Sequence, residues 1–109
     1  MHKYKIIVLP LAEKDISQNT DYIAFNKKSP DIALRLVDGF RKTIDSLNTN
    51  PNRHELDEDE QLAVYGVRKH YYKNYKIYYK VSEVNKIVYI LGVLHMLVDS
   101  KSVLLRRLA

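Results

Sequence analysis

HYYKNYKIYYK, residues 70–80, sets five tyrosines and three lysines behind one histidine, with no acidic residue among them. Lys73-Asn74 in its middle is a turn signal. The aromatic and β-branched residues on either side suit strands, so the stretch reads as the tip of a β-hairpin. Side chains two apart along a strand share a face. Tyr75, Ile77, Tyr79 and Val81 therefore fall on one side of the later strand, and Lys76, Tyr78 and Lys80 on the other. Matching Tyr65, Val67 and Tyr71 of the earlier strand to the apolar side leaves Gly66, Arg68 and His70 with the lysines. The expectation is one uncovered face carrying Arg68, His70, Lys76, Tyr78 and Lys80, with the opposite face beneath helices.

Working outward, three stretches have strand length and composition: 64–71, 75–81 and 86–94. Turns at Lys73-Asn74 and at 82–85 join them into a meander. The last, ending in IVYILGVL, is apolar on both faces and belongs in the middle of the sheet. A first strand, Lys3 to Leu9, is closed by Pro10 and suits the place beside it. From Leu11 to about Lys28 the pattern is helical, with Ala12, Ile16, Asn19, Ile23 and Ala24 along one stripe and Glu13, Lys14, Asp15 and Asp21 off it. Ser29-Pro30-Asp31 restarts a helix: serine as the cap, proline in the first turn, aspartate at the positive end of the dipole. Its apolar positions, Ala33, Leu36, Val37, Phe40, Ile44 and Leu47, repeat at three and four residues, and the run 48–51 ends it. Residues 52–62 read as a solvated connection with five acids in the six positions 55–60. The tail, 100–109, has Val103, Leu104 and Leu108 on a short helical face, either folded back on the domain or waiting for a partner. The order is β-α-α-β-β-β with a short C-terminal helix: an α+β fold in which a two-helix hairpin packs on one face of a mainly antiparallel sheet.

The 109 residues suffice for one domain, 1–109, and nearly half of them are hydrophobic. The absence of cysteine excludes disulfides, thiolate metal sites and thiol catalysis. Four scattered histidines without a carboxylate cluster at ligand spacing point away from zinc, and no cofactor motif is present. The N-terminal apolar run is too short for a signal peptide core and no stretch has membrane-span length, so the simplest reading is cytoplasmic. The formal charge is +5 overall, but residues 1–64 carry −2 and residues 65–109 carry +7. Such a field suits a polyanion or an acidic protein.

Three segments, SPDIALRL (29–36), GVR (66–68) followed by NYKIYYKV (74–81), and VYILGVLH (88–95) with Asp99 behind it, resemble the RelE/ParE superfamily of bacterial type II toxins. The resemblance covers essentially the whole chain. It implies a plasmid-stabilising toxin held by a cognate antitoxin in a hetero-oligomeric complex, with one of two targets. RelE-like members are ribosome-dependent messenger RNA endonucleases; ParE-like members inhibit DNA gyrase and are not nucleases. Metal-independent RNA cleavage needs a base for the 2′-hydroxyl, an acid for the leaving oxygen and cations for the phosphate. On that version His70 and His95 are the acid/base pair, Arg68 clamps the phosphate, Lys76 and Lys80 bind RNA, and Tyr78 or Tyr72 stacks on a base. Two departures favour the gyrase version. Tyr71, Tyr72 and Lys73 stand where many RelE-like nucleases have a catalytic arginine, and His-Met-Leu-Val-Asp (95–99) stands where many superfamily members read His-Gly-Arg-Arg-Asp. The paired histidines favour the nuclease. A degenerate member that binds only its antitoxin is the third version. His2 and His54 have no assigned role.

Overall fold

The structure, a computed structural model, describes residues 3–109. Met1 and His2 lie outside the described residues. The chain runs β1 (Lys5–Val8), α1 (Pro10–Asp21), a π-helical turn (Tyr22–Asn26), α2 (Pro30–Asp45), α3 (Glu60–Val64), β2 (Arg68–Tyr72), β3 (Tyr75–Ser82), β4 (Ile87–His95) and α4 (Ser100–Leu108), with two single 3₁₀ turns between α2 and α3. The sheet order is β1-β4-β3-β2, with β4 antiparallel to β3 and parallel to β1. The strand that is apolar on both faces is thus an inner strand, and the first strand lies beside it, as the sequence indicates. Among the described residues no helix is long and apolar enough to cross a membrane.

The helical hairpin covers one face. Ala12 and Ile16 of α1 and Leu36, Phe40 and Ile44 of α2 close over Ile77, Tyr79, Val88, Ile90 and Val93. Phe40 meets the rings of Tyr72 and Tyr75 edge-on, at centroid distances of 5.5 and 5.0 Å. Gly39 explains how Tyr72 comes so close. A β-carbon there would lie 1.7 Å from the Tyr72 hydroxyl oxygen, so α2 gives up about 1 kcal/mol of helix propensity to seat that ring.

The other face is also partly covered. α4 folds back, and Leu104 joins Leu62 of α3, Val67, Tyr78, Leu91 and Leu94 in a second apolar cluster. β4 shifts register against β3 between Tyr78 and Tyr79, with Gly92 opposite the first and Ile90 opposite the second, so Leu91 is the extra residue of a bulge. β1 has already stopped at Val8, which leaves the outer edge of β4 open. Side chains close it. The Val93 N–H donates to the Asp15 carboxylate (3.0 Å), Asn19 donates to the Val93 carbonyl (3.1 Å), and Arg107 donates to the Leu91 carbonyl (3.0 Å). Arg107 also grips both Asp15 oxygens, at 2.7 and 2.8 Å, in an ion pair over Gly92, where a side chain would collide with the guanidinium. Asp15, read from periodicity as off the buried stripe, is 5% exposed because it serves that edge.

Other local expectations are corrected too. The first helix changes to a π turn at Tyr22 rather than running on to Lys28. The Ser29 hydroxyl donates to the Lys27 carbonyl and makes no cap hydrogen bond, leaving Pro30 and Asp31 as the start signal. Residues 64–67 are not strand: α3 ends at Val64, and Gly66, at φ 80°, takes the left-handed turn that a glycine accepts without strain. Nor is the acidic run merely solvated. Asp57 is buried, and Asp59 caps α3 by accepting the Gln61 and Leu62 amides.

Candidate functional site

The Lys73-Asn74 turn holds only two residues, with Lys73 at φ 51°, so Tyr72 pairs directly with Tyr75. Every later pair follows from that one. His70 lies opposite Ile77 and Arg68 opposite Tyr79, while Lys69 lies opposite Tyr78 and Tyr71 opposite Lys76. Directly paired residues share a face. Arg68 and His70 therefore belong to the hairpin face, and the expectation that they join Lys76, Tyr78 and Lys80 is overturned by one residue of register. Val67, assigned to the hairpin side, packs in the second cluster, and Tyr71 is exposed beside the lysines.

On the hairpin side, Arg68 and His70 have structural neighbours. Arg68 Nη1 donates to the His54 carbonyl at 2.5 Å, and the His70 ring stacks on the His54 ring with centroids 4.1 Å apart. Tyr79 stands edge-on to His54 and donates its hydroxyl hydrogen to the Pro51 carbonyl at 2.6 Å. Burial pushes the Tyr79 phenol up to about 12, against the nearby charges of Arg68 and Arg53. Burial also lowers both histidines. The positive charges of His54 and Arg53 lower His70 further, and that of Arg53 lowers His54. His54 Nε2 is buried without a hydrogen-bond partner. Sequence reasoning gave His54 no role; it is the residue on which His70 rests.

His95 ends β4 beside Tyr75, edge-on at 5.3 Å, and its Nδ1 accepts the Leu97 amide at 3.2 Å. With Nδ1 accepting, a neutral His95 carries its proton on Nε2 and can donate but not abstract there. It pairs with Tyr75, two residues along the ladder and two strands across from His70. That offset separates the Cα atoms by about 12 Å, from strand spacing and rise. The two rings share no partner.

Lys76, Tyr78 and Lys80 do share the opposite face, but they do not form one platform. The Tyr78 ring is 2% exposed, beneath the Lys76 ammonium at 5.7 Å, and offers no surface to a base. Lys80 lines a separate hollow of about 580 Å³ with Leu9, Tyr89, Leu91, Arg107 and Leu108. Lys69 and Tyr71, absent from the expected set, complete this face. The Lys69 ammonium reaches both Glu58 oxygens at 2.8 Å and Asp57 at 3.5 Å. Burial opposes that charge, but the Glu58 hydrogen bonds and the Asp57 charge prevail and hold its pKa above that of an ordinary lysine. Among the described residues no group of three or more His, Asp or Glu side chains could hold a metal ion.

The profile of the ParE toxin of the type II toxin–antitoxin system parDE matches residues 6–99, and the chain belongs to that family. Among solved structures, the chromosomal ParDE toxin–antitoxin system of Pseudomonas aeruginosa has the same fold, with a TM-score of 0.69 at 19% identity, over 87% of this chain and 98% of that one. The toxin–antitoxin complex RelBE2 of Mycobacterium tuberculosis is similar at a TM-score of 0.59 and 22% identity, over 87% of this chain and 93% of that one. No curated protein matches the chain. The protein is thus a toxin of a type II toxin–antitoxin system within the RelE/ParE superfamily.

Proposed function

We propose that the protein poisons by binding rather than by cutting RNA, as a ParE-like inhibitor of DNA gyrase that a cognate antitoxin neutralises. The observation that carries this is the β2–β3 register. It sets Arg68 and His70 against His54 on the hairpin side, about 12 Å along the sheet from His95, and Lys76 and Lys80 on the opposite face, so the two histidines and the lysines do not converge on one phosphodiester. The match to the ParE profile points the same way. A specific observation favours the nuclease as a second reading: His95 is half-buried at the end of β4, and the Leu97 amide on its Nδ1 orients the ring so that Nε2–H can donate to a phosphate oxygen.

The antitoxin's place on this reading is the part of the second face that α3 and α4 leave open. Leu9, Tyr89, Leu91 and Leu108 make its floor, Lys80 supplies its charge while Arg107 is paired with Asp15, and no acidic residue lines it. An acidic amphipathic segment fits such a groove, and its affinity is expected to fall tenfold or more on raising salt. To test the target, the toxin is expressed inducibly in the cytoplasm of bacteria while message integrity and DNA supercoiling are followed separately. Altered supercoiling with intact messages supports gyrase. Cleaved messages with normal supercoiling overturn it.

A further inference from the structure

On the second face, two of the cations near α3, Lys69 and Lys101, are already paired with the chain's own acids. Lys69, Lys76 and Lys101 line a groove of about 520 Å³ together with Asp57, Glu58, Asp59 and Asp99. Asp59 holds the Lys101 ammonium at 2.9 Å, and Asp57 and Glu58 hold Lys69. Tyr71, 53% exposed, lies across from Lys76 on the adjoining strand, with the Lys69 ammonium 5.8 Å from its ring centroid. Three cations beside an open aromatic ring would suit the phosphates and bases of a single-stranded nucleic acid. The acids make it otherwise.

The four acids have different duties, and Asp99 spends its oxygens on the Ser102 amide and hydroxyl at the start of α4. Asp57 is buried and accepts the Asp59 amide at 2.8 Å, and Asp59 caps α3, so both hold the loop together. The Glu58 side chain is 81% exposed, yet it spends both oxygens on Lys69. A solvent-facing carboxylate fixed over a lysine stands where a phosphate would stand.

We propose that Glu58 is an electrostatic mask: it occupies Lys69 and, with Asp57, Asp59 and Asp99, cancels the groove's positive charge, so that nucleic acid is excluded from a face otherwise shaped to bind it. Glu58 is then a specificity residue, keeping a protein of net charge +5 off the polyanions that surround it in a cell.

The test reads binding and not toxicity, so it stands or fails apart from the choice of gyrase as target. Wild-type protein, Glu58→Gln and Glu58→Lys are titrated with a fluorescent single-stranded 20-mer across a salt series. Glu55→Gln and Glu60→Gln serve as controls, because they change net charge equally and both residues lie exposed outside this groove. The expected result is a three- to tenfold tighter complex for Glu58→Gln, tighter again for Glu58→Lys, and a log–log salt slope steeper by about 0.7 for one freed phosphate contact. The controls should move affinity by less than twofold. Equal gains in all three Gln variants would mean that only net charge matters, and an unchanged Glu58→Gln would mean that no site is masked; either result overturns the proposal. Circular dichroism on each variant confirms that the fold is retained.

Discussion

The two faces of the β2–β3 hairpin are built from one tyrosine- and lysine-rich stretch, yet they do opposite things. The face under the hairpin has turned its polar residues into structure: Arg68 bonds a carbonyl, His70 stacks on His54, and the Tyr79 hydroxyl reaches Pro51. The far face keeps its lysines near the surface and answers them piecemeal, with an acidic loop at one end and apolar residues at the other. A single residue of register decides which side chain joins which face. Chemistry read from residue types alone therefore misplaces two of the six expected site residues.

The largest expected difference between the faces is in stability. Phe40→Ala, which removes the ring gripped by Tyr72 and Tyr75, should cost about 3–5 kcal/mol in urea unfolding, whereas Leu104→Ala on the far face should stay near the lower end of the ~2–5 kcal/mol range. The reverse order would make α4, not the hairpin, the principal brace. Asp15→Ala cuts the seam between the faces and leaves Arg107 partly buried without its partner, at about 3 kcal/mol, and α4 amides should lose hydrogen-exchange protection first. Gly39→Ala should lose about 1–2 kcal/mol despite alanine's better helix propensity, because the Tyr72 ring has to move. A gain in thermal midpoint there would show that the ring yields freely.

A subtler contrast is in pH. His54 and His70 sit below their ordinary value of 6.5 in the folded protein, so the unfolded chain binds protons first as pH falls. Their contribution to stability is complete above about 6.5 and declines as the pH drops below it. Urea midpoints should be lower at pH 5.5 than at 7.5, and His70→Gln should flatten that slope. A midpoint that holds steady would mean the stacked pair is not buried in solution.

Much of the frame was legible in the sequence. The continuous apolar run of β4 marked an inner strand, and the three- and four-residue spacing of the second helix named Ala33, Leu36, Phe40 and Ile44, which α2 buries, and Leu47 in the turn after it, while Val37 is only half-buried. The register was legible as well, but in the turn rather than in the tyrosines. A two-residue Lys73-Asn74 loop requires Tyr72 to face Tyr75, while alternation counted back through Tyr65 passes residues that are helix and turn, not strand. What the sequence hid was long-range. The sheet edge that Asp15 serves, 78 positions from Val93, and the return of Asp57 and Glu58 onto Lys69 follow from tertiary closure and leave no periodic trace. His54 was missed for the same reason, since its partner lies on another element.

The central claim, that this toxin acts by binding and not by RNA chemistry, is tested most directly with purified protein. It is added in parallel to a gyrase supercoiling reaction and to a ribosome translation mixture with an end-labelled message, as wild type and as the His70→Gln/His95→Gln double variant. Inhibited supercoiling, an intact message and an equally active double variant are the expected result. A message cut by the wild type and spared by the double variant, with supercoiling undisturbed, would contradict it.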